Sequence, residues 1–275
     1  VFGNGDTIEN SVDYEYALLL GLDDIPDATV GRIPAKSVQE LQSAIQRIID
    51  YESAGPGLVS DDRKGVFIAD DGEQFIPDQD KWINRWLQTG HSSEGIDFES
   101  GDLAPEFQAL ENALETDMGA GFVLYAGHGN TDRWGTSFFF TSDIPAINTD
   151  GKWPIVATFT CLNGYFALPG GNNCLAEAWL FADPTRGAVA NIAPVGVDQY
   201  YQQSLFTEAF MDQFVVLPPD HPKTIGELLF RAQAQFAAEN PSLGVTIREY
   251  SLFGDPATPM FLYVKNASVS DWPIF

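Results

Sequence analysis

The chain has 275 residues, 44% of them hydrophobic and 19% charged, with 39 acidic against 14 basic residues and a formal net charge of −25. This length can bury a sizeable core, as one large α/β domain or two modest ones. The acidity argues against a nucleic-acid backbone or an anionic membrane as partner, since both attract Lys and Arg; it admits calcium, a cationic substrate or simple solubility. No run approaches the roughly 18 apolar residues of a membrane-spanning helix, so no membrane insertion is expected. The opening VFGNGD carries no basic-then-apolar leader, as expected of a mature or trimmed product. Two cysteines make neither a disulfide framework nor a zinc ligand set.

The first helix is predicted over 37–52. Ser37 is its cap, Glu40 stands at the capping-box spacing, and Leu41, Ile45, Ile48 and Ile49 mark an apolar face. An apolar run at 66–69 follows, then a helix over 105–117 with Phe107, Leu110 and Leu114 on one side. Further apolar runs lie at 122–126, 155–159, 188–193 and 260–264, with helices expected near 174–182, 202–214 and 224–240. The last of these repeats the capping pattern at Thr224 and Glu227. The runs are continuous rather than alternating, as in strands covered on both faces. The expected fold is α/β, a three-layer sandwich with a mainly parallel sheet. Residues 1–60 are readable as a smaller N-terminal subdomain packed on a catalytic region that runs through 1–275.

Ligands of open α/β sheets collect beyond the carboxyl ends of strands. Two reactive side chains fall there. His128 follows the run FVLYA, between Gly127 and Gly129, and Cys161 follows IVATF, ahead of the turn signal Asn163-Gly164. If their strands are parallel neighbours, a thiol and an imidazole face one cleft. That pairing suits acyl transfer, with backbone N–H groups near Gly129 and Cys161 available to an oxyanion. Taken singly, each has an ordinary reading: a buried cysteine as a small hydrophobe, a loop histidine as a local hydrogen-bonding group.

At these residues the sequence resembles the gingipain family of cysteine peptidases, in the caspase-like group. The matching pieces are YAGHGNTDRWG, ATFTCLNGYF, GAVANIA and YSLFGDPATPMFLY, with VGRIPAKSVQELQSAIQRIIDYE as an early strand and helix. The resemblance implies peptide-bond hydrolysis through a thioester acyl-enzyme, with Cys161 as nucleophile and His128 as proton donor to the leaving amine. It implies Gly129 and Cys161 as oxyanion donors and an acidic residue to orient the histidine, for which Asp70 is favoured over Asp71. Solvated loop acids or calcium ligands are the competing reading of that pair. Cleavage after Arg or Lys is expected, with Tyr200 as an aromatic pocket wall and Asp198, Asp78 or Asp80 as its acidic floor. Ala193, Pro194 and Val195 depart from the family's small polar residues there.

Cys174 is expected to be structural. No cofactor is required for this chemistry; structural calcium is compatible with the acid-rich loops at 21–29, 60–66 and 141–151, none of which has EF-hand spacing. The kinship implies protein or peptide substrates, a longer precursor with flanking domains or a pro-segment, and a secreted or cell-surface bacterial setting. The main alternative is a catalytically silent gingipain-like domain for binding or surface assembly. An α/β hydrolase lacks its G-x-S-x-G elbow here, and a dinucleotide enzyme its G-x-G-x-x-G.

Overall fold

The apolar runs become strands because each has a partner layer on both sides. In the computed structural model, which describes residues 12–21, 25–58, 63–71, 74–98, 101–216 and 223–260, the first half of the chain forms β1 (Gly31–Arg32), α1 (Val38–Leu58), β2 (Lys64–Asp70), α2 (Phe75–Leu87), β3 (Ser93–Phe98), α3 (Ala104–Leu114) and β4 (Ala120–Ala126). A small hairpin sheet follows, β5 (Gly129–Asn130), β6 (Arg133–Trp134) and β7 (Phe139–Phe140). The rest is β8 (Ile155–Phe159), α4 (Leu175–Leu180), β9 (Ala190–Pro194), α5 (Tyr200–Val216), α6 (Ile225–Glu239), α7 (Gly244–Glu249) and β10 (Tyr250–Phe253).

The main sheet has the order β1-β10-β9-β8-β4-β2-β3. Its five strands from β9 to β3 are parallel; β10 runs antiparallel to β9, and β1 parallel to β10. Side chains alternate between two cores. Phe67, Phe122, Leu124, Ile155 and Phe159 pack with Trp82 and Trp86 of α2, Phe206 and Phe210 of α5 and Phe236 of α6. Val66, Ile68, Val123, Tyr125 and Val156 pack with Leu110 and Leu114 of α3, Trp179 of α4 and the hairpin residues Trp134 and Phe139. This is the expected three-layer sandwich.

The caps form largely as read. Ser37 Oγ accepts from the Glu40 N–H at 3.1 Å, and Thr224 Oγ1 from Glu227 at 3.2 Å. The Glu40 carboxylate reaches back to the N–H of Lys36, one residue further out than the box predicts.

The apolar face expected on α1 is wrong by about a quarter turn. Leu41, Ile45 and Ile49 are exposed, while Ala44, Arg47, Ile48 and Tyr51 are buried. Arg47 decides this orientation. Its guanidinium donates to the carbonyls of Leu180, Ala182, Asp183 and Ala188, which sit at or beyond the end of α4 where carbonyls lack helical partners. Burial lowers its pKa to about 10.

Several elements escape the sequence pattern, among them the β5–β7 hairpin sheet, α7, β3, α2 and β10. β3 is an edge strand whose Glu94, Gly95 and Asp97 interrupt the apolar run. α2 buries a polar residue, Gln79, whose amide bonds the carbonyls of Phe67 and Ile96 across the sheet. β10 is only four residues long and follows α7 without a break. The strand expected at 260–264 lies, but for Met260, outside the described residues.

Candidate active site

β4 and β8 are neighbours, with Ala126 opposite Phe159. His128 and Cys161 each stand two residues beyond that last pair. The Gly127 N–H still donates to the Phe159 carbonyl at 3.3 Å, so the two chains stay together past the strand ends. The carboxyl ends of β2 and β9 open onto the same edge and deliver Asp70 and the loop 195–199. Four parallel strands therefore supply one edge with a carboxylate, an imidazole, a thiol and a loop.

The histidine sits at the foot of the β5–β6 hairpin. Its carbonyl accepts from the Gly135 N–H at 2.7 Å and from the Tyr125 hydroxyl, and that hydroxyl accepts from Gly135 N–H at 2.8 Å. Tyr125 is stacked on Trp134 at 4.8 Å, which explains the Trp of the DRWG segment: it is a core plate beneath the hairpin. The Gly135-to-His128 bond makes Gly129 and Trp134 a non-hydrogen-bonded pair, so the hairpin does not consume the Gly129 N–H. Both glycines are forced by close approach. A Cβ on Gly127 would lie 2.5 Å from the Tyr125 hydroxyl and 2.6 Å from Asp70 Cβ; one on Gly129 would overlap Thr160 Oγ1. His128 itself is exposed.

The cysteine loop is pinned from both sides. Leu162, directly after Cys161, has φ of 62°, a left-handed conformation that branched or bulky residues seldom adopt outside constrained sites. Its N–H is held by the Gly196 carbonyl at 2.9 Å. The Asn163 amide donates to the carbonyls of Asn130 at 2.5 Å and Arg133 at 3.0 Å, tying this loop to the histidine hairpin. The Cys161 thiol donates to the Asp198 carbonyl at 3.6 Å, and Gln203 Nε2 donates to Sγ at 3.7 Å. Burial pushes the thiol pKa up, partly opposed by the hydrogen bond from the Gln203 amide.

The other expected site residues separate into distinct environments. Asp70 is buried, and its carboxylate accepts from the backbone N–H of His128 at 2.9 Å. Asp71, the other candidate of that pair, is exposed. Tyr200 sets its ring edge-on to Phe75 at 5.0 Å, and Phe75 lies edge-on to His128 at 5.9 Å. These rings form an aromatic wall beside the imidazole. Asp78 is committed elsewhere: it is buried and takes hydrogen bonds from Tyr200 at 2.6 Å, Ser204 at 2.5 Å and Lys81 at 2.6 Å. Burial alone would raise its pKa, but these donors outweigh it and hold the carboxyl low. Asp80 is exposed and near Asp97 of the edge strand. Asp198 stands beside Cys161, whose thiol meets its backbone carbonyl. Burial raises the Asp198 pKa, against the hydrogen bond from the Gln199 N–H.

Cys174 is completely buried as the N-cap of α4, where Glu177 accepts from its N–H at 2.8 Å. Burial, and then the Glu177 charge, raise its thiol pKa well above the ordinary range. Among the described residues no group of three or more His, Cys, Asp or Glu is placed to hold a metal ion. The loop acids that are described have protein partners: Asp27 takes the Leu19 and Leu20 N–H groups, Asp143 that of Phe140, and Asp150 pairs with Lys152. No helix among the described residues is long and apolar enough to cross a membrane.

A family model described as Peptidase family C25 matches residues 4–261. The chain belongs to this family. Among curated proteins it resembles Gingipain R2 of Porphyromonas gingivalis, at 26% identity over 89% of this chain and 34% of that protein. Gingipain R1 of the same organism is 26% identical over 89% of this chain and 25% of its own length. The chain thus spans about a third or less of these relatives. Among solved structures, the Arg-specific cysteine proteinase gingipain R superposes with a TM-score of 0.77 and 22% identity, covering 93% of this chain and 60% of that one. The complex of Porphyromonas gingivalis RgpB pro- and mature domains gives 0.76 and 23%, covering 90% and 60%. The fold of this C25 chain is therefore the gingipain fold. Asn163, Phe75, Thr160 and Gln203 lie beside His128, Cys161 or the segments that carry them and were not singled out by sequence for these contacts. Only Asn163 carried a local signal, as half of an Asn-Gly turn.

Proposed function

We propose that this chain is the catalytic region of a cysteine endopeptidase. What supports the reading is that His128 and Cys161 each stand two residues beyond the ends of the adjacent parallel strands β4 and β8. The Cys161 thiol gives up its proton to the histidine, directly or through water, as Sγ attacks the scissile carbonyl, and the oxyanion is held by the N–H groups of Gly129 and Cys161. His128 protonates the leaving amine, leaving a thioester, and then takes a proton from the water that hydrolyses it. The thiol, the imidazole and the backbone amides supply this chemistry without a cofactor.

The preferred substrate has Arg or Lys before the scissile bond. Asp198 beside the sulfur is the proposed acidic recognition group, with Tyr200 and Phe75 as the aromatic wall, and the net charge of −25 favours approach of a cationic chain. Peptide acyloxymethyl ketones bearing Arg, Lys, Asp or Leu next to the warhead test this. Arg or Lys should label Cys161 fastest; preference for Asp or Leu would overturn the specificity. A longer precursor with flanking or pro-segments, and a secreted or cell-surface bacterial setting, fit the kinship with Porphyromonas gingivalis proteins of which this chain spans only a part. Bound calcium in the acid-rich loops belongs to the same reading, and a melting temperature unmoved by chelation would remove it.

Asp70 is the proposed positioning residue for the histidine, acting through its backbone. Asp70→Asn keeps an acceptor for the His128 N–H but removes the charge. Turnover is expected to fall roughly tenfold with little change in melting temperature. Asp70→Ala also removes the acceptor and should cost about 1–3 kcal/mol of stability. Unchanged turnover in Asp70→Asn would reject a role for the charge.

A further inference from the structure

We infer that Gln203 is a specific support for the Cys161 sulfur, holding the resting thiol in place and donating to the thiolate when it forms. Gln203 lies in the first turn of α5, on one face with Tyr200 and Ser204. It is 3% exposed, so its amide is not a solvated group that meets the sulfur by chance. The amide orientation is determined by its surroundings. Nε2 lies 3.2 Å from the Asp198 carbonyl, which can only accept, so the NH₂ end must face this corner and also points at Sγ, 3.7 Å away. Asp198 O, Cys161 Sγ and Gln203 Nε2 thus form a closed triangle, with the thiol S–H directed at the same carbonyl.

The triangle has a chemical consequence. The neutral thiol both donates to Asp198 and accepts from Gln203; the thiolate loses the first contact and faces the carbonyl oxygen with its charge. Gln203 is the donor that remains on the sulfur, and hydrogen bonds to ionised groups are stronger than those to neutral ones. The helix anchors it from behind, since the Gln203 N–H donates to Gln199 O at 3.0 Å and Thr207 Oγ1 to Gln203 O at 2.7 Å. The amide can therefore answer a change of charge on sulfur without a change of backbone.

This inference rests on the peptidase reading only for the naming of Cys161 as nucleophile. Its test measures the sulfur directly: the rate of alkylation of Cys161 by iodoacetamide against pH, followed by mass spectrometry. The thiolate displaces iodide to give a thioether, and the thiol proton passes to solvent. Gln203→Leu removes the donor. Its alkylation midpoint should move up by about one pH unit, slowing labelling roughly threefold to tenfold at a fixed pH below it, the lower figure reflecting the greater nucleophilicity of a more basic thiolate. Gln203→Glu is close in shape and puts a carboxylate against the sulfur, so its midpoint should rise at least as far. Glu also keeps the measurement possible where Leu disturbs the fold. Midpoints unchanged from wild type in a folded Gln203→Glu protein would overturn the inference. Shifts in the Gln203 variants together with a wild-type protein that cleaves no peptide would instead remove the peptidase reading and leave the role of Gln203 intact.

Discussion

Cys161→Ala is expected to abolish peptide hydrolysis, with a loss of about a thousandfold or more in kcat/KM, and to abolish labelling by the acyloxymethyl ketones. The substitution should be nearly silent for folding. It removes a single half-buried sulfur whose contacts are two long hydrogen bonds. No second thiol can stand in, because Cys174 is sealed beneath α4 and held protonated by burial. His128→Ala should cost a comparable factor, since without the imidazole the amine must leave unprotonated. The two substitutions together should cost little more than either alone, because nucleophile and proton donor act as one unit. Retained hydrolysis in a folded Cys161→Ala protein would exclude the thioester route. A wild-type protein that neither labels nor cleaves would favour the silent binding or surface-assembly domain.

Gly129→Ala carries the second large expected effect. The new methyl would overlap Thr160 Oγ1 and lie 3.2 Å from the Arg133 carbonyl. Thr160 is fully buried and sits immediately before Cys161. The clash is relieved only by parting the histidine hairpin from the cysteine loop, which would move the two proposed oxyanion donors apart. Overpacking of this kind costs about 1–3 kcal/mol in stability. Activity should fall further, by roughly a hundredfold, because a displacement of about 1 Å in reacting groups costs that much. Thr160→Ala removes the two side-chain atoms of Thr160 that obstruct the methyl. The double variant should recover much of the lost stability and part of the turnover, a coupling that a cycle of melting temperatures and kcat/KM values measures. Full activity in Gly129→Ala alone would show that the hairpin and the loop are not held in this register.

The contrast among the three candidate pocket acids shows how far local pattern reaches. Asp78, Asp80 and Asp198 look alike as sequence, each an acid near turn or helix-start residues. Asp78 is taken because Lys81, one turn along its own helix, and Tyr200, 122 residues away, both donate to it. Asp198 comes beside Cys161, with its backbone carbonyl at the sulfur, because β9 is laid against β8. Likewise α1 was legible as a helix, cap included, but its buried side was not. An arginine counts as polar in any periodicity, and only the open carbonyls beyond α4, 133 residues on, make Arg47 a core residue.

The sequence by itself determined the strands buried on both faces, the principal helix caps, and the histidine and cysteine placed just past two strand ends, because these depend on side-chain periodicity and on neighbours a few residues away. The tertiary structure decided what depends on contacts across the chain. It set the β4–β8 register, which pairs Ala126 with Phe159 two residues before His128 and Cys161. It pressed Gly129 against Thr160 and linked Asn163 to the hairpin. It also placed Gln203 behind the sulfur, from a helix that begins 39 residues after the cysteine. Local sequence can put a reactive residue at the end of a strand; only the packing of that strand against its neighbours decides what it faces.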